Sequence, residues 1–329
     1  MKLQPKHLAS SLCVVSLTFV ACSDATTRAT TSDSGSPPVS GDVGSNSAAV
    51  SKDIVDTAVG AKSFTTLVAA VQAAGLEATL RSAGPFTVFA PTDTAFTKVP
   101  KFLTDKLLTP PYKTELGLVL KYHVVAGLVR ASDILGKTST STTVLGAKLA
   151  VDGSGGKVLL NGAVNVTIPD VQASNGIVHI VDGVLLPTIA DTAVGYDDGT
   201  TTFKTLVAAL TAGDLAATLG GPGPFTVFAP TDAAFAKVPK ATLDSLLLPA
   251  NKAQLQKILK YHVIASSLVY AKDITAGSVN SLSGPIGLTI VGSEVSVDAG
   301  GAKAKVILTD LPASNGVVHV IDTVILPPN

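Results

Sequence analysis

The clearest pattern in the chain is a helical spacing of apolar side chains that occurs twice. Phe64, Leu67, Val68 and Val71 stand at positions i, i+3, i+4 and i+7, and the same spacing returns at 203–210. Residues at this spacing share one face of an α-helix. Each set therefore predicts an amphipathic helix packed against a core.

A strand-to-helix corner is repeated letter for letter. Residues Gly84–Asp93 recur at 223–232. The alternation within the corner is that of a strand packed on at least one face, and Pro91 ends the strand because it has no N–H to donate. Thr92 then stands where the N-cap of a helix is expected, with Asp93 beside the positive end of that helix. Nothing in the corner is chemically reactive, so we interpret it as a folding element.

The second half of each copy is rich in strand signals. Asn161-Gly162 and Ser174-Asn175-Gly176 are both typical of hairpin turns, and the second copy ends in the same way. Helices early and strands late indicate an α+β unit with largely antiparallel pairing. We place the first domain at 51–188 and the second at 189–329. Because only Thr188–Ala190 separates the two copies, we expect a restricted angle between the domains.

The N-terminus has the pattern of a signal peptide covering residues 1–21. Two lysines precede the apolar run Leu8–Ala21, which is too short to span a bilayer comfortably. The stretch Phe19–Cys22 resembles the lipobox of bacterial lipoproteins, although Phe replaces the usual Leu. We predict lipidation of Cys22, with an ordinary secretory signal cleaved nearby as the alternative. Ser23 in place of Asp after the cysteine favours the outer membrane.

The composition narrows the classes of function. The formal net charge is zero, with 24 basic and 24 acidic residues, which leaves no electrostatic footprint for nucleic acid. The absence of Trp and an aromatic content of 5% leave little for stacking on sugars or bases. Cys13 lies in the predicted signal peptide, so the predicted mature chain has no internal disulfide. The Ser/Thr/Gly-rich segment 22–50 is typical of a disordered tether, here with a lipid anchor.

Three ordered motifs in each copy point to a known family. They are Phe-Thr-Val-Phe-Ala-Pro-Thr-Asp-x-Ala-Phe, a central Tyr-His, and Asn-Gly-x-Val-His-x-x-Asp-x-Val-x-x-Pro. Together they resemble tandem fasciclin (FAS1) domains across residues 51–329. The resemblance implies that each domain is a mainly antiparallel β wedge or sandwich with packed α-helices. It also implies an extracellular or surface-tethered protein of adhesion or matrix interaction.

The candidates for chemistry are the repeated histidines and aspartates. Histidine is a common metal ligand and general base. Apolar neighbours instead favour core histidines that bond to backbone, and the recurring aspartates are interpreted as caps and turn residues. No Gly-x-Ser-x-Gly motif is present, and no second carboxylate or cysteine is spaced to complete a metal site. We therefore predict no enzyme activity, no cofactor and no metal. The four histidines of the two copies are His123, His179, His262 and His319.

The resemblance also implies a partner-binding region. In animal members of the family, the Tyr-His segment and a nearby Asp-Ile pair are linked to integrin binding, although the flanking residues here differ. A purely structural role is the alternative for each pair: core packing for Tyr-His, and a helix or turn cap for Asp-Ile. The matching residues are Tyr122, His123, Asp133, Ile134, Tyr261, His262, Asp273 and Ile274.

These observations predict an exported, non-enzymatic adhesion or interaction protein that presents two fasciclin domains. Its place would be the outer membrane, facing the periplasm or the cell surface, or else the secreted fraction. We expect a protein or polysaccharide partner of the cell surface or matrix, membrane contact only through the N-terminal lipid, and no nucleic acid. The alternative is an envelope module that binds a small molecule or a polysaccharide. The low aromatic content argues against sugar stacking, whereas an apolar pocket in each domain is compatible with the sequence.

Overall fold

The computed structural model describes residues 51–292, 294–299 and 301–328. The predicted signal peptide (1–21), the lipidation site Cys22 and the tether (22–50) lie outside the described residues. Within the described part of the chain, every helix is too short or too polar to cross a membrane.

The first domain places most of its helices before its hairpins, as the pattern predicts. Its helices are α1 (Ile54–Gly60), α2 (Thr65–Ala74), α3 (Glu77–Leu80), α4 (Asp93–Phe96), α5 (Lys101–Leu107), α6 (Lys113–Tyr122) and α7 (Ala131–Ile134), with a 3-10 turn at Pro110–Tyr112. Its strands are β1 (Phe86–Pro91), β2 (Val124–Ala126), β3 (Thr138–Thr142), β4 (Lys148–Asp152), β5 (Leu159–Leu160), β6 (Val164–Ala173) and β7 (Gly176–Val181).

The second domain repeats this order. Its helices are α8 (Ile189–Gly195), α9 (Lys204–Ala212), α10 (Ala216–Gly220), α11 (Asp232–Ala236), α12 (Lys240–Leu246) and α13 (Lys252–Tyr261), with 3-10 turns at Pro249–Asn251 and Ala271–Asp273. Its strands are β8 (Phe225–Pro230), β9 (Val263–Ala265), β10 (Gly277–Ser281), β11 (Gly284–Val291), β12 (Glu294–Ala299), β13 (Ala302–Ala313) and β14 (Gly316–Ile321).

Each domain folds its strands into one seven-stranded sheet. The order in the first is β2-β1-β7-β6-β5-β4-β3, and the second has the equivalent order. Only β1 and β7 pair in parallel, so the sheet is mixed and the α+β expectation is confirmed. The two ends of the sheet meet where the N–H of Val144 donates to the carbonyl oxygen of Val124 at 2.7 Å. The sheet is therefore curled, with an inner and an outer face.

Each face of the curled sheet has its own apolar cluster. In the first domain, the outer cluster lies between the sheet and α1, α2 and α6, and includes Leu67 and Val71 of the predicted amphipathic helix. The inner cluster fills the curl around Phe89, Tyr122 and Leu149. The helical spacing identified in the sequence is thus confirmed as the core-facing side of α2.

The corner is as predicted, and Asp93 has a second role. The Thr92 hydroxyl accepts a hydrogen bond from the N–H of Ala95 at 3.2 Å, as an N-cap does, and Asp93 lies in the first turn of α4. The Asp93 carboxylate also caps α2, where it accepts from the N–H groups of Thr65 at 3.2 Å and Thr66 at 2.7 Å. That helix needs an outside cap because its own N-cap residue is an apolar phenylalanine. Burial opposes ionisation of Asp93, but these hydrogen bonds outweigh it and lower the pKa.

Both hairpin signals are confirmed, and one residue does more than turn the chain. Asn161 and Gly162 have φ values of 48° and 68°, the left-handed geometry of a tight hairpin. Asn175 turns β6 into β7. Its Oδ1 also accepts from the N–H of Ile54 at 3.0 Å, and its Nδ2 donates to the carbonyl oxygen of Leu80 at 2.8 Å. Asn175 thereby fixes the start of α1 and the end of α3 to the sheet.

Candidate interaction surface

The two tyrosines of the Tyr-His pairs are buried in the curl of each sheet. Tyr122 and Tyr261 are each 1% exposed. The Tyr122 hydroxyl donates to the carbonyl oxygen of Lys148 at 3.0 Å and accepts from Nδ2 of Asn161 at 2.9 Å. The Tyr261 hydroxyl donates to the carbonyl oxygen of Pro285 at 2.7 Å. Both rings hold strand ends in place rather than facing solvent.

The paired histidines are buried as well, and their ring nitrogens bond to backbone. Nε2 of His123 accepts from the N–H of Leu185 at 2.9 Å, so Nδ1 carries the proton and donates to the carbonyl oxygen of Val119 at 2.7 Å. His262 has the same two bonds in the second domain. Burial lowers the pKa of each histidine to about 4. The core interpretation of these two histidines is confirmed.

The Asp-Ile pairs divide into a buried and an exposed half. Ile134 and Ile274 are buried, whereas Asp133 and Asp273 are exposed. Asp133 accepts from the N–H of Arg130 at 3.1 Å, and Asp273 forms an ion pair with the lysine before it. Six of the eight candidate residues are therefore buried and offer no surface to a partner in this conformation. The partner-binding hypothesis therefore depends on the two aspartates and on their neighbours.

A third histidine positions the loop that carries the exposed aspartate. His179 stacks on Phe89 at a centroid distance of 5.4 Å. Its Nδ1 accepts from the N–H of Asp170 at 3.2 Å, so Nε2 carries the proton and donates to the carbonyl oxygen of Val129 at 2.8 Å. The Asp170 carboxylate in turn accepts from the N–H of Ala131 at 3.1 Å. The core thus fixes the start of α7 through one ring and one carboxylate.

In the second domain, the equivalent loops bind the first domain. Asp310, the counterpart of Asp170, forms an ion pair with Lys106 at 2.6 Å and is 4% exposed. Nζ of Lys106 also donates to the Thr309 hydroxyl at 2.6 Å. The Tyr270 ring lies edge-on to Phe102 at 5.0 Å. We call this surface of Tyr270, Thr309 and Asp310 the docking face of the second domain.

A second group of contacts, which we call the seam, completes the junction between the domains. Leu118 and Leu145 of the first domain pack into the outer core of the second, where Gly195 leaves room for the Leu145 side chain. Beside them, the Tyr196 hydroxyl donates to Oε1 of Glu115 at 2.8 Å. Oε2 of Glu115 is buried without a hydrogen-bond partner. Burial is the main cause that raises the pKa of this carboxyl. These contacts agree with the restricted interdomain angle expected from the short connection.

The first domain has the same docking face, but no described residue covers it. Arg130, Pro169 and Asp170 occupy the positions of Tyr270, Thr309 and Asp310. No cation among the described residues pairs with Asp170. Three apolar side chains near this face are exposed: Leu128 by 40% and Leu135 by 44% in the loops, and Ile168 by 52% on β6. Leu268, the counterpart of Leu128, is exposed to a similar extent, by 44%.

Ile168 shows the asymmetry between the domains most directly. Its counterpart, Leu308, packs against the outer core of the second domain together with the seam. Sequence reasoning found Asp133 but missed Asp170 and the apolar side chains around it. The available signal was the recurrence of Asp170 as Asp310, nine residues before a repeated histidine in both copies.

Across the ranges that the structure describes, no group of three or more His, Cys, Asp or Glu side chains is arranged to hold a metal ion.

The geometry defines a pair of docked α+β domains, each with a curled seven-stranded sheet and a loop face built on a buried histidine. The chain belongs to the fasciclin family, because the fasciclin domain profile matches residues 62–187 and again 201–327. Protein sll1483 of Synechocystis sp. is 50% identical over 142 residues, which are 43% of this chain and 74% of that protein.

More distant similarities extend over both domains. Transforming growth factor-beta-induced protein ig-h3 of Sus scrofa is 29% identical over 247 residues, which are 74% of this chain but only 35% of that protein. Among solved structures, the FAS1 domain pair of the insect cell adhesion molecule fasciclin I is 18% identical, with a TM-score of 0.39. That alignment covers 78% of this chain and 94% of the insect chain.

Proposed function

We propose that this is a non-enzymatic adhesion or interaction protein, in which the docking face of the first domain binds a protein partner. Membership of the fasciclin family supports the class of function. The observation that carries the site is that the second domain already uses the equivalent face to bind a protein surface, namely that of the first domain. The same fold element is thus capable of protein recognition, and in the first domain no described residue covers it.

The chemistry of the docked pair indicates what the partner presents. In the junction, Lys106 meets Asp310 and Phe102 meets Tyr270. A charge-assisted bond desolvated by apolar neighbours is stronger than one at an open surface. We therefore propose a partner surface that places a lysine or arginine against Asp170, with apolar side chains against Ile168 and its neighbours. Exposed apolar patches of this kind mark protein-interaction sites.

Presentation at the cell surface is part of the same proposal. The signal pattern and the lipobox-like segment support export, with Cys22 as the lipid anchor and outer-membrane placement. Expression of the full chain and of Cys22→Ser in the producing organism, followed by fractionation, tests this. We expect the full chain in the membrane fraction and the variant in the soluble exported fraction. Identical partitioning of both would contradict lipid anchoring.

The partner-binding site is tested by capture on immobilised mature protein. Surface proteins of the producing cells are passed over the wild type and over Ile168→Lys, which places a charge in the exposed apolar patch. The matched control is Ile290→Lys, because Ile290 is also exposed, by 39%, but lies on β11 of the second domain. We expect saturable capture by the wild type and by the control, with at least a tenfold loss for Ile168→Lys.

The aspartates provide a second, independent comparison. Asp133→Ala lies beside the uncovered docking face, whereas Asp273→Ala lies beside the occupied one. We expect the first change to weaken capture and the second to leave it intact, with melting temperatures close to that of the wild type. Equal capture by the wild type, Ile168→Lys and Asp133→Ala would refute the site while leaving the general class of function untouched.

A further inference from the structure

A cavity of about 110 Å³ lies in the first domain between α1, α2, α3 and the outer face of the sheet. Its walls are mainly apolar and come from elements distant in sequence, including Ile54, Leu67, Val71, Leu80, Val88 and Leu120. Side chains in a folded core normally interdigitate with few voids larger than a water molecule. A void of this size is therefore a feature to explain rather than ordinary packing.

The polar side chains around the cavity determine what could occupy it. Gln72, Glu77, Thr79 and Lys121 lie at its rim, where each is exposed or half-exposed. The buried polar group is His123, and both of its ring nitrogens are already bonded to backbone. The interior thus has no group left to solvate a charge or to anchor water, and apolar cavities of this kind stay dry. An occupant must be uncharged and apolar.

The second domain shows that the fold does not require the void. The cavity at the equivalent place measures only about 20 Å³. There, Leu210 stands where the first domain has Val71, and both side chains line their cavities. One added methylene at this position reduces the space within the same framework. The first domain therefore keeps a cavity that its own repeat shows how to close.

We propose that the first domain binds a small uncharged apolar molecule in this cavity, of the size of a six-carbon ring. A cavity of roughly 150 Å³ lined by Leu, Ile and Phe binds benzene. The present cavity is smaller, at about 110 Å³, so a single six-membered ring is the upper limit for its occupant. The exposed rim residues place its entrance at the surface. This binding site is separate from the docking face, which lies on the loops around Asp170. The proposal therefore does not depend on the proposed adhesive function.

The test uses benzene as the probe on the full mature chain, with amide chemical shifts and melting temperature as readouts. Saturable shifts should be confined to the first domain, with a rise in melting temperature that follows the same titration. Val71→Leu gives the first domain the residue of the second and should weaken binding at least tenfold while the chain stays folded. The reciprocal change, Leu210→Val, should add a second set of shifts around α9.

Two further measurements keep the result decisive. Ala58→Val fills the cavity from α1 and should also remove binding, which covers the case in which Val71→Leu fails to fold. Benzoate has the same ring with a charge and should bind at least tenfold more weakly than benzene, because nothing inside the cavity solvates a carboxylate. Undiminished benzene binding in folded Val71→Leu or Ala58→Val, equal binding of benzoate, or no saturable binding to the wild type would each overturn the proposal.

Discussion

Acidification is the perturbation that tests the buried histidines most sharply. His123 is 2% exposed, its Nε2 accepts from the N–H of Leu185, and burial lowers its pKa to about 4. Protonation at Nε2 would place two N–H groups against each other in a site without solvent. The folded state therefore favours the neutral ring, whereas the unfolded chain takes up a proton near the ordinary pKa of 6.5.

The size of the effect follows from the two pKa values. Well above pH 6.5, His123 is neutral in both the folded and the unfolded state, so it does not affect how stability changes with pH. As the pH falls from 6.5 towards 4, only the unfolded chain takes up a proton, and this lowers the free energy of unfolding. Between pH 7.5 and pH 5, this linkage removes about 2 kcal/mol of unfolding free energy for His123. His262 has the same environment and pKa, so the pair removes about 4 kcal/mol over that range.

The assay is urea unfolding of the wild type and of His123→Ala at pH 7.5 and pH 5. At pH 7.5, the variant should lose about 1–3 kcal/mol, because the N–H of Leu185 and the carbonyl oxygen of Val119 lose their partner. Its further loss on moving to pH 5 should be about 2 kcal/mol smaller than that of the wild type. His262→Ala is the matched variant of the second domain. If the variant and the wild type lose the same free energy on acidification, His123 does not titrate as a buried neutral histidine.

Three other changes test the corner, the seam and the buried carboxyl. Asp93→Ala should lower the free energy of unfolding in urea by about 1–3 kcal/mol, because the first turn of α2 loses its only side-chain cap within the described residues. An unchanged urea midpoint would show that water replaces that cap. Leu118→Lys should weaken the seam by about 2–4 kcal/mol, so that thermal unfolding splits into two calorimetric transitions, one for each domain. A single transition at the wild-type temperature would show that Leu118 does not couple the unfolding of the two domains. Glu115→Gln should stabilise the protein at pH 8, because the raised pKa of Glu115 means that its ionisation costs stability as the pH rises. In acid, where Glu115 is protonated, the variant should lose this advantage. A variant less stable than the wild type at pH 8 would refute the expected direction of the pH effect.

Features that depend on neighbouring residues could be predicted from the sequence. The spacing of Leu67 and Val71 predicts the buried face of α2, and Asn161-Gly162 predicts a hairpin with two positive φ values. Thr92 caps its own helix because capping acts over three residues along the chain. Such local rules hold without knowledge of the tertiary fold.

Features that depend on distant segments could not be predicted in this way. The sequence places Asp93 at the start of its own helix, where it lies, but only the folded chain shows that its carboxylate also caps α2. Family resemblance directs attention to Tyr122 and Asp133 alike, although one is buried and the other exposed. The covering of Asp310 by Lys106 links residues 204 positions apart. Rules based on spacing along the chain cannot predict a contact between two domains.

The sequence of the second domain explains why the docking face of the first remains open. The binding surface that the first domain offers consists of Phe102 and Lys106 on α5. At the equivalent positions on α12, the second domain has Ala241 and Ser245. The free end of the pair therefore lacks both the ring that meets Tyr270 and the cation that neutralises Asp310.

The second domain also differs from the first at the seam, where it has a charged residue in place of a leucine. Leu118 packs into the outer core of the second domain, whereas its counterpart on α13 is Lys257. Burying an unpaired lysine in such a seam costs several kcal/mol, which disfavours docking of the free end of a second copy onto Asp170 and Ile168. Head-to-tail contacts between copies would otherwise grow into open filaments. Lys257 thus disfavours such contacts between copies, and no described residue covers the docking face of the first domain, which fits the proposal that a different protein binds there.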